Sequence, residues 1–139
     1  MTVESQHDIE ALKEIGRIVA LTIQEMKRQA RVGMTTKELD EIGGQFLQKH
    51  GAVSAPKAVY NFPGHTCISI NHEIAHGIPG NRKIRPGDLI NIDVSAELGG
   101  YFADAGHSFT MPPHNRVLTR LCQYTHQTMM KVITSLKHG

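Results

Sequence analysis

The stretch that decides the fold is Leu89-Ile90-Asn91-Ile92-Asp93-Val94-Ser95-Ala96-Glu97-Leu98-Gly99-Gly100-Tyr101-Phe102-Ala103-Asp104. Residues 89–96 follow the turn signal Pro86-Gly87-Asp88 and alternate apolar with polar, the period of a half-buried strand. Gly99-Gly100 then supplies the positive backbone torsions that a two-residue hairpin turn requires. Because strand side chains alternate faces, Ile90, Ile92, Val94 and Ala96 point one way while Asn91, Asp93 and Ser95 point the other. Closing the hairpin through two residues sets Leu98 opposite Tyr101 and Ser95 opposite Asp104, and makes Asp93 a diagonal neighbour of Asp104 on the polar face. A four-residue loop would set the two aspartates directly opposite. Either way two carboxylates share one surface, with backbone separations of about 5 to 8 Å. Their mutual repulsion calls for a cation, a shared proton or nearby basic groups. A pair of divalent ions about 3.5 to 4 Å apart would suit such a ribbon; two separately solvated aspartates on an open sheet face remain the plain alternative.

On the N-terminal side the period is helical. Ser5 with Asp8 reads as a helix start, and Ile9, Leu12, Ile15, Val19, Ile23, Met26 and Ala30 recur at three- and four-residue steps. Gly33 interrupts this pattern, and Thr35 with Glu38 forms a capping box for a second helix. Its apolar face is Leu39, Ile42, Phe46 and Leu47, and it ends before Gly51. Cys67-Ile68-Ser69-Ile70-Asn71 alternates as a strand after the loop around Asn61-Phe62-Pro63-Gly64. Beyond Pro112-Pro113, residues Leu118, Leu121, Cys122, Thr125, Met129, Val132, Ile133 and Leu136 line one side of a last helix. The order helix, helix, strands, helix predicts an α/β (α+β) unit in which an antiparallel, hairpin-containing sheet packs against helices.

Composition narrows the classes. The chain has 139 residues, with 15 Lys+Arg against 13 Asp+Glu, so it carries +2 and no gathered basic stripe for nucleic acid or an anionic membrane. An apolar fraction of 40% with 20% charged residues is that of a folded domain. No apolar run reaches the roughly 18 to 20 residues that span a bilayer, and Met1-Thr2-Val3-Glu4-Ser5-Gln6 lacks a basic lead into an apolar stretch. Two cysteines, Cys67 and Cys122, are too few for a disulfide framework and read as reduced thiols in a cytoplasmic protein.

Residues 72–76, His72-Glu73-Ile74-Ala75-His76, satisfy the letters of H-E-x-x-H. That zinc-peptidase motif works only on a helix, where positions four apart share a face. A strand precedes it here, and Gly77 with Pro79 follows, so the context counts against a zincin.

Four segments in order and spacing carry a more specific resemblance: Cys67-Ile68-Ser69-Ile70-Asn71, His76-Gly77-Ile78-Pro79, Gly87-Asp88-Leu89-Ile90-Asn91-Ile92-Asp93-Val94, and Gly100-Tyr101-Phe102-Ala103-Asp104. Together they resemble the type I methionine aminopeptidases, and the similarity runs through the whole chain. The resemblance implies a pita-bread fold, two α/β halves about a pseudo-twofold with a dinuclear metal site between them, of which residues 1–139 would be the first half. It implies removal of the initiator methionine from N-terminal methionyl peptides or nascent polypeptides, with two divalent ions (Co, Mn, Fe or Zn) as cofactors. Asp93 and Asp104 would be metal ligands, Asp104 bridging; His76 would contact the scissile peptide bond; Phe62, Cys67 and, on a weaker case, Tyr60 would lie near the pocket for the methionine side chain. A turn histidine satisfied by local backbone groups is the plain alternative for His76.

The family's remaining histidine and two glutamate ligands belong to the second half, which would begin where the chain reaches Lys137-His138-Gly139. The chain alone is therefore expected to be a poor catalyst with exposed apolar sheet area. Ala105 stands where members of the family usually carry a hydroxyl beside the bridging aspartate, which implies weaker support there. The competing class is a non-enzymatic pita-bread relative that binds peptides or partners.

Overall fold

The structure is a computed structural model that describes residues 2–137. Met1, on which the reading of the N-terminus leans, and His138-Gly139, where the crossover is expected, lie outside the described residues. The elements are α1 (Gln6–Gln29), α2 (Thr36–Lys49), β1 (Val53–Ser54), α3 (Ala55–Tyr60), β2 (Cys67–Ile70), β3 (Leu89–Leu98), β4 (Tyr101–Thr110) and α4 (Arg116–Ser135). The mixed α/β class with an antiparallel sheet is the one expected.

Strand β3 is the axis of the sheet. β4 pairs with it along its whole length, while β1 (opposite Ala96 and Glu97) and β2 (opposite residues 90–93) share the other edge, all antiparallel. The turn closes through Gly99 (φ 60°) and Gly100 (φ 88°), so Leu98 faces Tyr101 and Ser95 faces Asp104, the two-residue register. One face of β3 is wholly removed from water: Ile90, Ile92, Val94 and Ala96 are each 0% exposed. Against it lie Ile15, Ile18, Val19 and Met26 of α1 and Leu39 and Leu47 of α2, one continuous core. The apolar spacing of both helices thus finds the sheet that the alternation of β3 demands.

Both helix starts carry complete capping boxes, Ser5 with Asp8 and Thr35 with Glu38. Asp8 does more: its second oxygen accepts the hydroxyl of Tyr101 at 2.6 Å, tying the start of α1 to the hairpin beside its turn. The Tyr101 hydroxyl and the capping donors hold the Asp8 carboxyl far below the usual carboxylate range.

Four features differ from the sequence reading, the smallest being the two-residue strand β1, too short to show alternation. Helix α3, capped by Ser54 and with Pro56 in its first turn, occupies residues to which the sequence assigns no element, because a six-residue helix shows too little periodicity to be distinguished. β4 continues past Asp104 to Thr110, carried by its ladder to β3 and not by apolar alternation. The apolar side of α4 is present but uncovered: no residue of the helix is buried, and Leu121, Met129, Val132, Ile133 and Leu136 are exposed. Periodicity reports an apolar stripe, not what lies against it.

The contrast between β3 and α4 is measurable. Ile92→Ala empties a fully buried site and should destabilise the chain by about 2 to 5 kcal/mol, whereas Val132→Ala on α4 should stay within about 0.5 kcal/mol. Urea unfolding of the two variants checks both.

Candidate metal centre

The outer face of the hairpin, turned away from α1, carries the acidic pair. Asp93 on β3 stands opposite Gly106 on β4 and opposite Cys67 on β2, while Asp104 stands opposite Ser95. Asp93 and Asp104 are therefore diagonal neighbours on one face, as the two-residue turn requires. Gly106 leaves the space over Asp93 clear: a Cβ there would stand 3.6 Å from the Asp93 Oδ1 atom.

Neither aspartate forms an ion pair among the described residues. Burial, followed by the neighbouring Asp104 charge, pushes the Asp93 carboxyl above its ordinary value, and His76 acts the other way. Asp104 is exposed and accepts the Ser95 hydroxyl. Ala105 pairs with Val94, so its side chain faces the core. The hydroxyl that meets Asp104 comes from Ser95 across the ladder, which gives this carboxylate a partner despite the alanine next to it. Cys67 is buried, and burial, with the charges of Asp93, Asp104 and Asp40, raises its thiol to about 11.

His76 reaches this face on the loop that follows β2. Its backbone is left-handed (φ 56°), uncommon for a residue with a side chain. Gly77 holds it there: the Gly77 carbonyl accepts from the Ile68 amide at 2.9 Å, and the Gly77 amide donates to Ser69 Oγ at 3.1 Å. The backbones approach so closely that a Cβ on Gly77 would collide with the Ile68 carbonyl oxygen. Ser69 and Gly77 were not legible as positioning residues in the sequence; they read as members of the segments that carry the family resemblance, and the glycine also as a break against a helix.

The structure agrees with the sequence context that counted against an H-E-x-x-H site. Residues 71–76 form a turn and irregular backbone, not a helix. Glu73 is committed elsewhere, accepting the Ile70 amide at 2.7 Å and pairing with Arg82 at 2.8 Å. Of the expected substrate-side residues, Tyr60 shares with Asp104, Ser95, Val59 and Phe102 a cleft of about 290 Å³. Phe62 is half-buried just past α3, its amide bonded to the Pro56 carbonyl at 3.2 Å, and does not line that cleft.

The donor set suits hard or borderline divalent cations: two carboxylates on one rigid face, unpaired with any base, with open space above one of them. It is not a complete coordination shell. Among the described residues no three His, Cys, Asp or Glu side chains converge as a metal site.

Comparison with known proteins places the chain in a family. The family model for metallopeptidase family M24 matches residues 10–139. Methionine aminopeptidase 2 of Bacillus subtilis is 51% identical over all of this chain, which covers 56% of that protein. Among solved structures, methionine aminopeptidase from Thermotoga maritima superposes with a TM-score of 0.93 at 25% identity, over 100% of this chain and 56% of its own. The enzyme from Rickettsia prowazekii gives 0.88 at 30% identity, over 94% of this chain and 53% of its own. The chain spans about half the length of the relatives it matches.

Two outcomes follow from the geometry. Asp93→Asn removes a half-buried charge that faces another carboxylate, and should raise the melting temperature of the metal-free chain at pH 7 by about 2 to 4 °C; calorimetry in EDTA checks this. Gly77→Ala should push residues 76–79 off β2, seen as faster hydrogen exchange at the Ile68 amide.

Proposed function

The chain belongs to metallopeptidase family M24, and on that premise we propose that it is the first α/β half of a pita-bread methionine aminopeptidase, acting on N-terminal methionyl peptides or nascent polypeptides. The observation that carries this reading is the convergence of Asp93 and Asp104 on one hairpin face beside His76 and Cys67. The likeness to Bacillus subtilis methionine aminopeptidase 2 supports the substrate class. The two unpaired thiols fit a cytoplasmic setting.

In this reading Asp93 and Asp104 would hold two divalent ions, Co, Mn, Fe or Zn, with the remaining ligands contributed by the second half of the fold. When bound, such ions supply a Lewis acid for the scissile carbonyl and lower the pKa of water toward neutrality. The rest falls to the protein. The rigid β3–β4 ladder keeps the carboxylates in register. Ser95 orients Asp104 by donating to it, and Gly106 keeps the approach to Asp93 open. His76, turned onto this face by its left-handed backbone, donates a hydrogen bond to the oxygen that gains charge as the peptide bond is attacked. Cys67, Phe62 and Tyr60 stand on the side of the methionine side chain, where sulfur and aromatic surfaces suit a thioether.

The test uses an active peptidase assembled on this chain, with methionine release from a methionyl tripeptide and Mn²⁺ binding by calorimetry as readouts. Asp104→Ala should abolish both, and His76→Ala should lower kcat about 10²-fold with Mn²⁺ binding intact. Undiminished Mn²⁺ binding by Asp104→Ala would falsify the dinuclear reading, and a non-catalytic binding relative would release no methionine at all.

A further inference from the structure

Helix α2 carries a carboxylate that the proposed chemistry does not use. Asp40 is 3% exposed and forms no ion pair among the described residues. Its Oδ1 atom accepts the Thr66 amide at 2.7 Å and the Thr66 hydroxyl at 2.7 Å, and both oxygens accept the His65 amide at 3.0 Å. A buried charge of this kind is stable only because several donors meet it at once, and an apolar side chain would make the same helix-to-sheet contact at less cost.

The surroundings are shaped to the same segment. A Cβ on Gly44 would stand 2.5 Å from the His65 ring, and one on Gly43 would stand 3.1 Å from Thr66, so the next turn of α2 is bare where residues 65 and 66 lie on it. Ser54 Oγ donates to the His65 carbonyl at 2.7 Å from the other side. The segment so gripped has Phe62 just before it and Cys67, the cross-strand partner of Asp93, just after it. Helix α2 also holds the far end of the His76 loop: Lys37 N donates to the Gly80 carbonyl at 3.0 Å, and Gly80 N donates to Thr36 Oγ1 at 2.8 Å. Gly64 lies so close to Pro79 that a Cβ would come within 2.9 Å of it.

We propose that Asp40 is a positioning residue for substrate binding: by clamping His65 and Thr66 to α2, it sets where Phe62 and Cys67 stand relative to Asp93. This rests on the reading that Phe62 and Cys67 face the methionine side chain. Asp40 touches neither the acidic pair nor His76, so it acts on the fit of the substrate and not on the chemical step.

Asp40→Asn removes the charge and keeps one accepting oxygen, but turns the other oxygen into an N–H that meets the His65 amide. In the active peptidase, KM for a methionyl tripeptide should rise about 10-fold, with kcat within about twofold and Mn²⁺ affinity unchanged. The milder Thr66→Val, which removes one donor, should move KM the same way by about threefold. A fall in kcat at constant KM, or a parallel loss of Mn²⁺ affinity, would overturn the proposal. A second readout does not depend on peptidase activity. In the 139-residue chain itself, Asp40→Asn should speed hydrogen exchange at residues 65–67 and iodoacetamide alkylation of Cys67 about 10-fold, with the Ile92 and Val94 amides unmoved. Unchanged protection at 65–67 refutes the clamp, and loosening of Ile92 and Val94 together with it makes Asp40 a general stability residue instead. A wild-type enzyme inert toward methionyl peptides, beside a variant loosened at 65–67, sinks the substrate reading and leaves the clamp standing.

Discussion

Everything about the acidic face depends on the register of one β-ladder. Gly99 and Gly100 take backbone torsions that side chains resist, the chain reverses in two residues, and every later pairing between β3 and β4 follows. Slipping that register by one residue would carry Asp104 to the helix side and bring Ala103 and Ala105 out. The core enforces the same choice from beneath, because Ile90, Ile92, Val94 and Ala96 can be buried only if Asn91, Asp93 and Ser95 are not. Burial of the apolar face and pairing of the carboxylates are thus one constraint seen from two sides of a strand.

The second organising part is α2. Its apolar stripe packs into the core through Leu39 and Leu47, while its polar groups reach the two irregular segments on either side of β2. Loops with few apolar contacts are ordinarily the least stable parts of a domain. Here Thr36 and Asp40 turn one rigid helix into a common reference for both, so the backbone carrying His76 and the backbone entering Cys67 are fixed against the same body.

The sequence made the ladder legible because period-two alternation and a Gly-Gly turn are strong local signals, and it made α1 and α2 legible through capping boxes and apolar spacing. Asp93 and Asp104 on a shared face followed by counting. The association of His76 and Cys67 with that face came from the family resemblance, since the five-residue match to H-E-x-x-H pointed elsewhere and was set aside by the strand before it and by Gly77 and Pro79 after it, as the backbone conformation bears out. What could not be read was the set of contacts between residues distant in the chain. Asp40 lies 26 positions from Thr66, and nothing local distinguishes it from a solvated helix aspartate. Ser69 and Gly77 look like an unremarkable strand serine and a loop glycine until two backbones approach. The exposure of α4 was hidden for a related reason: an amphipathic stripe has the same pattern whether or not anything lies against it.

The doubled duty of Asp8 has a consequence for the order in which the molecule comes together. One oxygen completes the cap of α1 within four residues of its own position, and that bond can form as soon as the first turn exists. The other oxygen waits for Tyr101, 93 positions later in the chain, and is satisfied only after the hairpin has turned. Closing so long a loop comes late, since its entropy is lost before the contact repays it. Helix α1 is thus begun by its own sequence and latched by the last strand of the sheet, with a single carboxylate recording both events.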